Sequence, residues 1–160
     1  MDERGQRLVW IDLEMTGLDI EKESIIEIAT IVTDGELNIL AQGPNLAISV
    51  DEKLIDEMDE WNTTHHFGSG LIDRIRNDGV SLDYAEKETL DFLKKWVEPN
   101  TAPLCGNSVW NDRRFLEKEM PEIAEFLHYR MIDVSTIKEL SRRWYPCLLY
   151  TSPSPRDLRK

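Results

Sequence analysis

Residues 10–17 read Trp10-Ile11-Asp12-Leu13-Glu14-Met15-Thr16-Gly17 and continue an apolar, β-prone run that starts at Leu8. Leu8–Ile11 predicts a strand buried on both faces. Two carboxylates then interrupt the run. Side chains along a strand alternate faces, so Asp12 and Glu14 point the same way and Leu13 points opposite. Paired acids at the end of a buried strand repel each other and are costly to desolvate. A hard divalent ion between them would remove both costs, since such ions take oxygen ligands from one or two carboxylates. The competing reading is a strand whose second face is solvated, as in half-exposed antiparallel sheets. The Thr16-Gly17 turn favours a site, because glycine lets the backbone turn sharply beside the acids.

Working outward, residues 1–7 are polar and predict a frayed start. Ser24 to Thr33 is rich in Ile, Val and Ala and predicts a second strand, with Glu27 as a strand-edge carboxylate. Asp34-Gly35-Glu36 is a turn signal leading into a hairpin partner, Leu37–Gln42, with an extended piece to Ile48. The period then becomes helical. Leu54, Ile55, Met58 and Trp61 share one face; Leu71, Ile72 and Ile75 mark a short helix that Ser69 would cap. A longer amphipathic helix spans Leu82 to Val97 and ends at Glu98-Pro99-Asn100. Ala102–Gly106 predicts a short strand, Asp112–Met120 a helix, and Pro121 the start of another that runs to Leu127. His128–Ile132 predicts a last strand. Asp133 then caps a helix to Trp144 whose core face is Val134, Ile137, Leu140 and Trp144. Three strands followed by alternating helices and strands make a mixed α/β sheet.

Composition narrows the function. The chain has 160 residues, 41% of them hydrophobic, which suits one domain with a real core. No apolar run is long enough for a membrane span, and the N-terminus is too charged for a secretory signal. Two cysteines, Cys105 and Cys147, form neither a disulfide framework nor a zinc pattern. A cytoplasmic home is expected, or a mitochondrial one if the source is eukaryotic. Cys105 reads as a small core residue. The net charge of −12 argues against gripping long nucleic acid, whose affinity comes largely from phosphate neutralisation. A phosphate-bearing substrate fits only if metals supply positive charge and the phosphates are few.

Asp12-Leu13-Glu14-Met15-Thr16-Gly17-Leu18 resembles the first motif of the DEDD 3′→5′ exonucleases, and its Met-Thr-Gly-Leu wording resembles their oligoribonuclease branch. The resemblance runs from about Leu8 to Pro146. It takes in Ile25-Ile26-Glu27-Ile28-Ala29, Leu37–Ala41, Gly106-Asn107-Ser108, Asp112–Leu116 and His128 to Trp144. It implies a ribonuclease-H-like α/β fold, a mixed sheet of about five strands flanked by helices. It also implies a homodimer and two divalent metal ions, Mg²⁺ or Mn²⁺. Asp12 and Glu14 match the first motif and Asp112 the second, so these three are the expected catalytic residues and metal ligands. Alone, Asp112 would equally be a good first-turn helix residue, favoured by the dipole. Two-metal phosphodiester cleavage needs such a carboxylate cluster, with ions roughly 4 Å apart.

The same resemblance assigns substrate-binding positions. Leu18 and Trp61 resemble the pair that holds the terminal bases, where aromatic stacking is worth about 1–3 kcal/mol per base. Trp61 also suits the apolar face of its helix. Ser108 and Ser135 resemble residues that cap the far phosphate of a very short substrate. Tyr129 and Arg130 resemble residues donated across the dimer interface. His66 matches an active-site position. Adjacent His65 and His66 are expected to point to different sides and to share no metal.

The family's third motif, His-x-x-x-x-Asp, supplies a general base, worth typically 10²–10⁴-fold, and a fourth carboxylate. His128-Tyr129-Arg130-Met131-Ile132-Asp133 has that spacing, but the two residues end an apolar strand and Asp133 is an N-cap. The stretch also resembles a different family segment, one that precedes the third motif. The expectation is therefore an exonuclease domain over 1–146, cut short before that motif and without its C-terminal helices. Residues 147–160 then read as a non-native or disordered tail. The functional expectation is a 3′→5′ exoribonuclease for oligoribonucleotides of a few residues, with the activity of this chain put in question by the missing general base and fourth carboxylate. Two alternatives are a non-catalytic oligonucleotide- or metal-binding module and a DEDD exonuclease acting on longer RNA or DNA.

Overall fold

The computed structural model describes residues 6–147. It opens with an antiparallel meander of β1 (Leu8–Met15), β2 (Ile25–Thr33) and β3 (Ile39–Ala47). Four helices follow: α1 (Glu52–Asp56), α2 (Glu60–Gly68), α3 (Leu71–Asp78) and α4 (Leu82–Trp96). Then come β4 (Pro103–Gly106), α5 (Val109–Glu119), α6 (Pro121–Phe126), β5 (His128–Asp133) and α7 (Val134–Trp144). The strand order is β3-β2-β1-β4-β5, with β4 and β5 parallel to β1. The expected mixed five-stranded α/β sheet is therefore present.

β1 departs from the expectation of burial on both faces. Val9, Ile11 and Leu13 are buried in the main core, whereas Trp10 and Glu14 are half-buried and Asp12 is exposed. The strand is amphipathic because helices α4, α5 and α6 cover only one side, where Leu93, Phe115, Leu116 and Ile123 complete the core. A smaller core on the other side joins Ile26 and Ala47 to Ile55, Met58, Leu71, Ile72 and Ile75. Both clusters rest on apolar burial, worth roughly 25 cal/mol per Å² removed from water.

Several local expectations are corrected. The face Leu54–Trp61 belongs to two helices, because Asp59 ends the run by capping α2, its carboxylate accepting the Asn62 N–H at 2.7 Å. Ser69 does not cap α3. It closes α2, donating its hydroxyl to the His66 carbonyl at 3.1 Å, and Gly70 starts α3 in the left-handed region that glycine tolerates. α5 begins at Val109, three residues before Asp112, because Ser108 turns the chain at φ 54°. No residue of α7 is buried, so Ile137, Leu140 and Trp144 line an exposed apolar stripe, not a core face. Arg7 is not frayed: its guanidinium donates to the Trp96 carbonyl and lies 5.7 Å from that ring's centroid. Cys105 is fully buried, and burial pushes its thiol up to about 12. The reading of Leu148 onward lies outside the described residues.

Candidate active site

β1 carries the first two carboxylates to the edge of a cleft of about 430 Å³. Strand alternation puts both on the side away from the main core, with Leu13 buried between them. Glu14 stands directly opposite Glu27 of β2. Like charges in that position repel. Glu27 is instead engaged by the Arg74 guanidinium of α3, which also donates to Asn45 at 3.1 Å. The strand-edge carboxylate thus has a fixed cation.

The third carboxylate arrives from the far end of the sequence by way of a tight turn. β4 runs beside β1, and at Gly106 a Cβ would lie 2.9 Å from Val109 and 3.4 Å from the Ile11 carbonyl. Only glycine permits that approach. Ser108, in the left-handed conformation, then donates its N–H to the Asp133 carboxylate at 2.9 Å. α5 starts at once and lays Asp112 of its first turn against β1. Asp112 is 7% exposed, and its Oδ1 accepts the Leu13 N–H at 3.0 Å. Burial pushes its carboxyl up to about 7, the charges of Asp12 and Glu14 add to that rise, and the Leu13 N–H opposes it. An anion cluster of this kind fits a hard divalent cation, which reverses the local charge balance.

The cleft rim comes from the loop after β1 and from α2. Thr16 is buried. Its hydroxyl donates to Glu23 and accepts the Ser24 N–H at 3.1 Å, while its own N–H reaches the Ser24 carbonyl at 3.0 Å. Gly17 has no left-handed φ; a Cβ there would sit 2.9 Å from the Glu23 carboxyl carbon, so a larger residue would displace the Glu23 side chain from its bond to Thr16. This closed loop presents Leu18, 65% exposed, across from Trp61 of α2, 46% exposed. Asp12, Glu14, Leu18, Trp61, Ser108 and Asp112 all line the one cleft.

Other expected residues lie elsewhere. His66 is buried behind the rim, its Nε2 3.0 Å from the Met15 carbonyl oxygen. The expectation that His65 and His66 diverge is corrected: neighbours on a helix differ by about 100°, not 180°, and a ring nitrogen from each lies within 4.8 Å of the other and of a Glu14 oxygen. Ser135 sits outside the cleft lining, its N–H and hydroxyl both donating to Asp133 Oδ1 at 2.9 and 2.7 Å. Tyr129 and Arg130 are exposed on β5, the guanidinium 5.7 Å from the Tyr129 ring centroid. His128 pairs with Pro103 and Asp133 with Gly106, so they stand at opposite ends of β5, in keeping with a strand spacer and not a catalytic pair. Asp59, Asn62, Asn107 and Asn111 also line the cleft and were not singled out from sequence. The Gly-Asn-Ser turn was the available signal for Asn107.

A family model described as Exonuclease matches residues 9–153. The oligoribonuclease of Vibrio campbellii is 57% identical over 144 residues, 90% of this chain and 80% of that one. The oligoribonuclease of Acinetobacter baylyi is 55% identical over 140 residues, 88% and 76%. A probable oligoribonuclease of Dictyostelium discoideum is 53% identical over 158 residues, 99% and 81%. Among solved structures, E. coli exonuclease I in complex with a 5cy-dT13 oligonucleotide superposes with TM-score 0.68 at 12% identity, over 97% of this chain and 33% of that one. The chain thus spans about a third of that protein, and the likeness concerns the fold. The fold and the matched family make this an exonuclease. The chain belongs to the oligoribonuclease family.

Proposed function

We propose that this chain hydrolyses very short oligoribonucleotides from the 3′ end to mononucleotides. The observation that carries the reading is the convergence of Asp12, Glu14 and buried Asp112 in one cleft whose rim holds Leu18 and Trp61. The three carboxylates would hold two divalent ions, Mg²⁺ or Mn²⁺, which supply charge to the attacking and leaving oxygens of the phosphodiester. The chain's own residues do the rest. Leu18 and Trp61 clamp terminal bases, with Trp61 offering a sequence-tolerant stacking face. Ser108, beside the start of α5, offers a polar group to the far phosphate, and Ser135 extends that wall through their shared partner Asp133. His66, behind Glu14, keeps that wall of the cleft in place.

Length selection follows from charge. A chain of net charge −12 binds few phosphates well and many poorly. The exposure of Tyr129 and Arg130 away from their own cleft supports a homodimer in which they serve the partner's site. Free Cys105 and Cys147 suit a reducing cytoplasm. No helix among the described residues is long and apolar enough to cross a membrane.

One observation favours a second reading, a non-catalytic oligonucleotide-binding module: the His128–Asp133 pair is splayed along β5 and does not face the cleft. The test is cleavage of a 5′-labelled RNA dinucleotide and a longer RNA in Mn²⁺. It uses this chain and a version continued with a relative's C-terminal segment. Preferential cutting of the dinucleotide sustains the enzyme reading. Binding without cutting by both versions replaces it with the second.

A further inference from the structure

Glu14 has a second set of neighbours besides Asp12 and Asp112. α2 passes the end of β1 and brings its two histidines there. One carboxylate oxygen of Glu14 and one ring nitrogen from each of His65 and His66 lie within 4.8 Å of one another. The imidazoles meet edge to face, centroids 5.5 Å apart at 68°. His66 is buried, and the Met15 carbonyl 3.0 Å from its Nε2 fixes the ring. With Nε2 on that carbonyl, Nδ1 is the ring nitrogen left for a metal, and a carbonyl on the opposite nitrogen is the usual companion of a histidine ligand, setting its tautomer and orientation. His65 is exposed and stacks on Trp61, centroids 5.0 Å apart at 10°.

Two imidazoles and a carboxylate are the donor set of a borderline transition-metal ion, with a fourth position left for water or an oxygen of another ligand. Mg²⁺ prefers oxygen ligands throughout. Tetrahedral zinc places its N and O ligand atoms roughly 3.3 Å apart, so the three groups need only draw together, and His65 at the surface has room to move.

We infer that Glu14, His65 and His66 form a binding site for a zinc-class ion, separate from the all-oxygen carboxylate cluster but sharing Glu14 with it. Sharing makes the two occupancies antagonistic: a zinc ion held by the histidines withdraws one of three donors from the hard-ion cluster. Zinc is thereby a built-in brake on the cleft. The antagonism rests on the proposed function; the histidine site does not.

The test is titration of the full chain with Zn²⁺ and, separately, Mg²⁺, comparing the unmodified protein, His65→Ala and Asp112→Asn. His65→Ala alters an exposed side chain, and its unchanged melting temperature confirms the fold. The inference stands if His65→Ala weakens Zn²⁺ binding at least about tenfold and leaves Mg²⁺ binding unchanged. Any other outcome for His65→Ala overturns it, including zinc that responds to Asp112→Asn alone and so sits among the carboxylates. Failure of the hard-ion reading appears separately, as Mg²⁺ binding that Asp112→Asn does not weaken.

Discussion

Asp112 Oδ1 accepts the backbone N–H of Leu13 at 3.0 Å, joining residues 99 apart in the chain and seating a buried carboxyl between Asp12 and Glu14. The bond fixes the start of α5 against β1, and so holds the three acids in one cleft. Its setting also makes the metal-free protein pay for that arrangement.

Asp112→Asn is expected to stabilise the metal-free protein at neutral pH. The folded carboxyl titrates at about 7, above its ordinary 3.8, so ionisation opposes folding. The sign is that of a raised acid: the penalty is absent below about pH 4, grows as pH rises, and is complete above about pH 7. Asparagine keeps an oxygen for the Leu13 N–H and has no charge. A gain on the order of 1–3 kcal/mol corresponds to several degrees in melting temperature, read by calorimetry in EDTA at pH 8 and vanishing near pH 4.

Metal binding should release protons below neutrality. At pH 6 most Asp112 carboxyls are protonated in the metal-free fold, so loading with Mg²⁺ expels close to one proton per chain; at pH 8.5 it expels almost none. Titration calorimetry in buffers of different ionisation enthalpy measures the count. A count that does not change between the two pH values would show that Asp112 is not a ligand.

Trp61→Ala should weaken dinucleotide binding by about 1–3 kcal/mol, roughly 5- to 150-fold, through loss of the stacking face. Trp61 is 46% exposed, so stability should change little. Equilibrium binding of a labelled dinucleotide with Ca²⁺ present, alongside a thermal melt, separates the two effects.

Gly106→Ala tests the turn that delivers α5. The new methyl meets Val109 at 2.9 Å and the Ile11 carbonyl at 3.4 Å, and Val109 is fully buried. The expected cost is about 1–3 kcal/mol from overpacking, with weaker Mg²⁺ binding as α5 shifts from β1. Denaturant unfolding and Mg²⁺ titration measure both; stability lost with full Mg²⁺ affinity would detach the turn from the site.

Much was legible wherever a rule acts over a few residues. Strand alternation alone puts Asp12 and Glu14 on one side. Asp133 caps α7 as read, its carboxylate accepting the Ser135 N–H at 2.9 Å. The change of period after Ile48 marks where the meander gives way to helices, and the mixed five-stranded sheet follows from that order. What failed locally failed at boundaries, as at Ser69 and at the start of α5. There a left-handed residue, Gly70 or Ser108, resets the chain direction in a way composition does not announce.

The sequence by itself determined the elements, the pairing of acids on β1 and the kinship of the chain, because these depend on spacing and wording over short stretches. Tertiary structure alone decided which face of β1 is buried, that α7 leaves Ile137 and Trp144 exposed, and that His65 and His66 close on Glu14. Each of these depends on where another element comes to rest. An amphipathic stripe states that a face is apolar but not what covers it, and groups 51 residues apart, such as the Met15 carbonyl and the His66 ring, meet only once the sheet has folded beneath them.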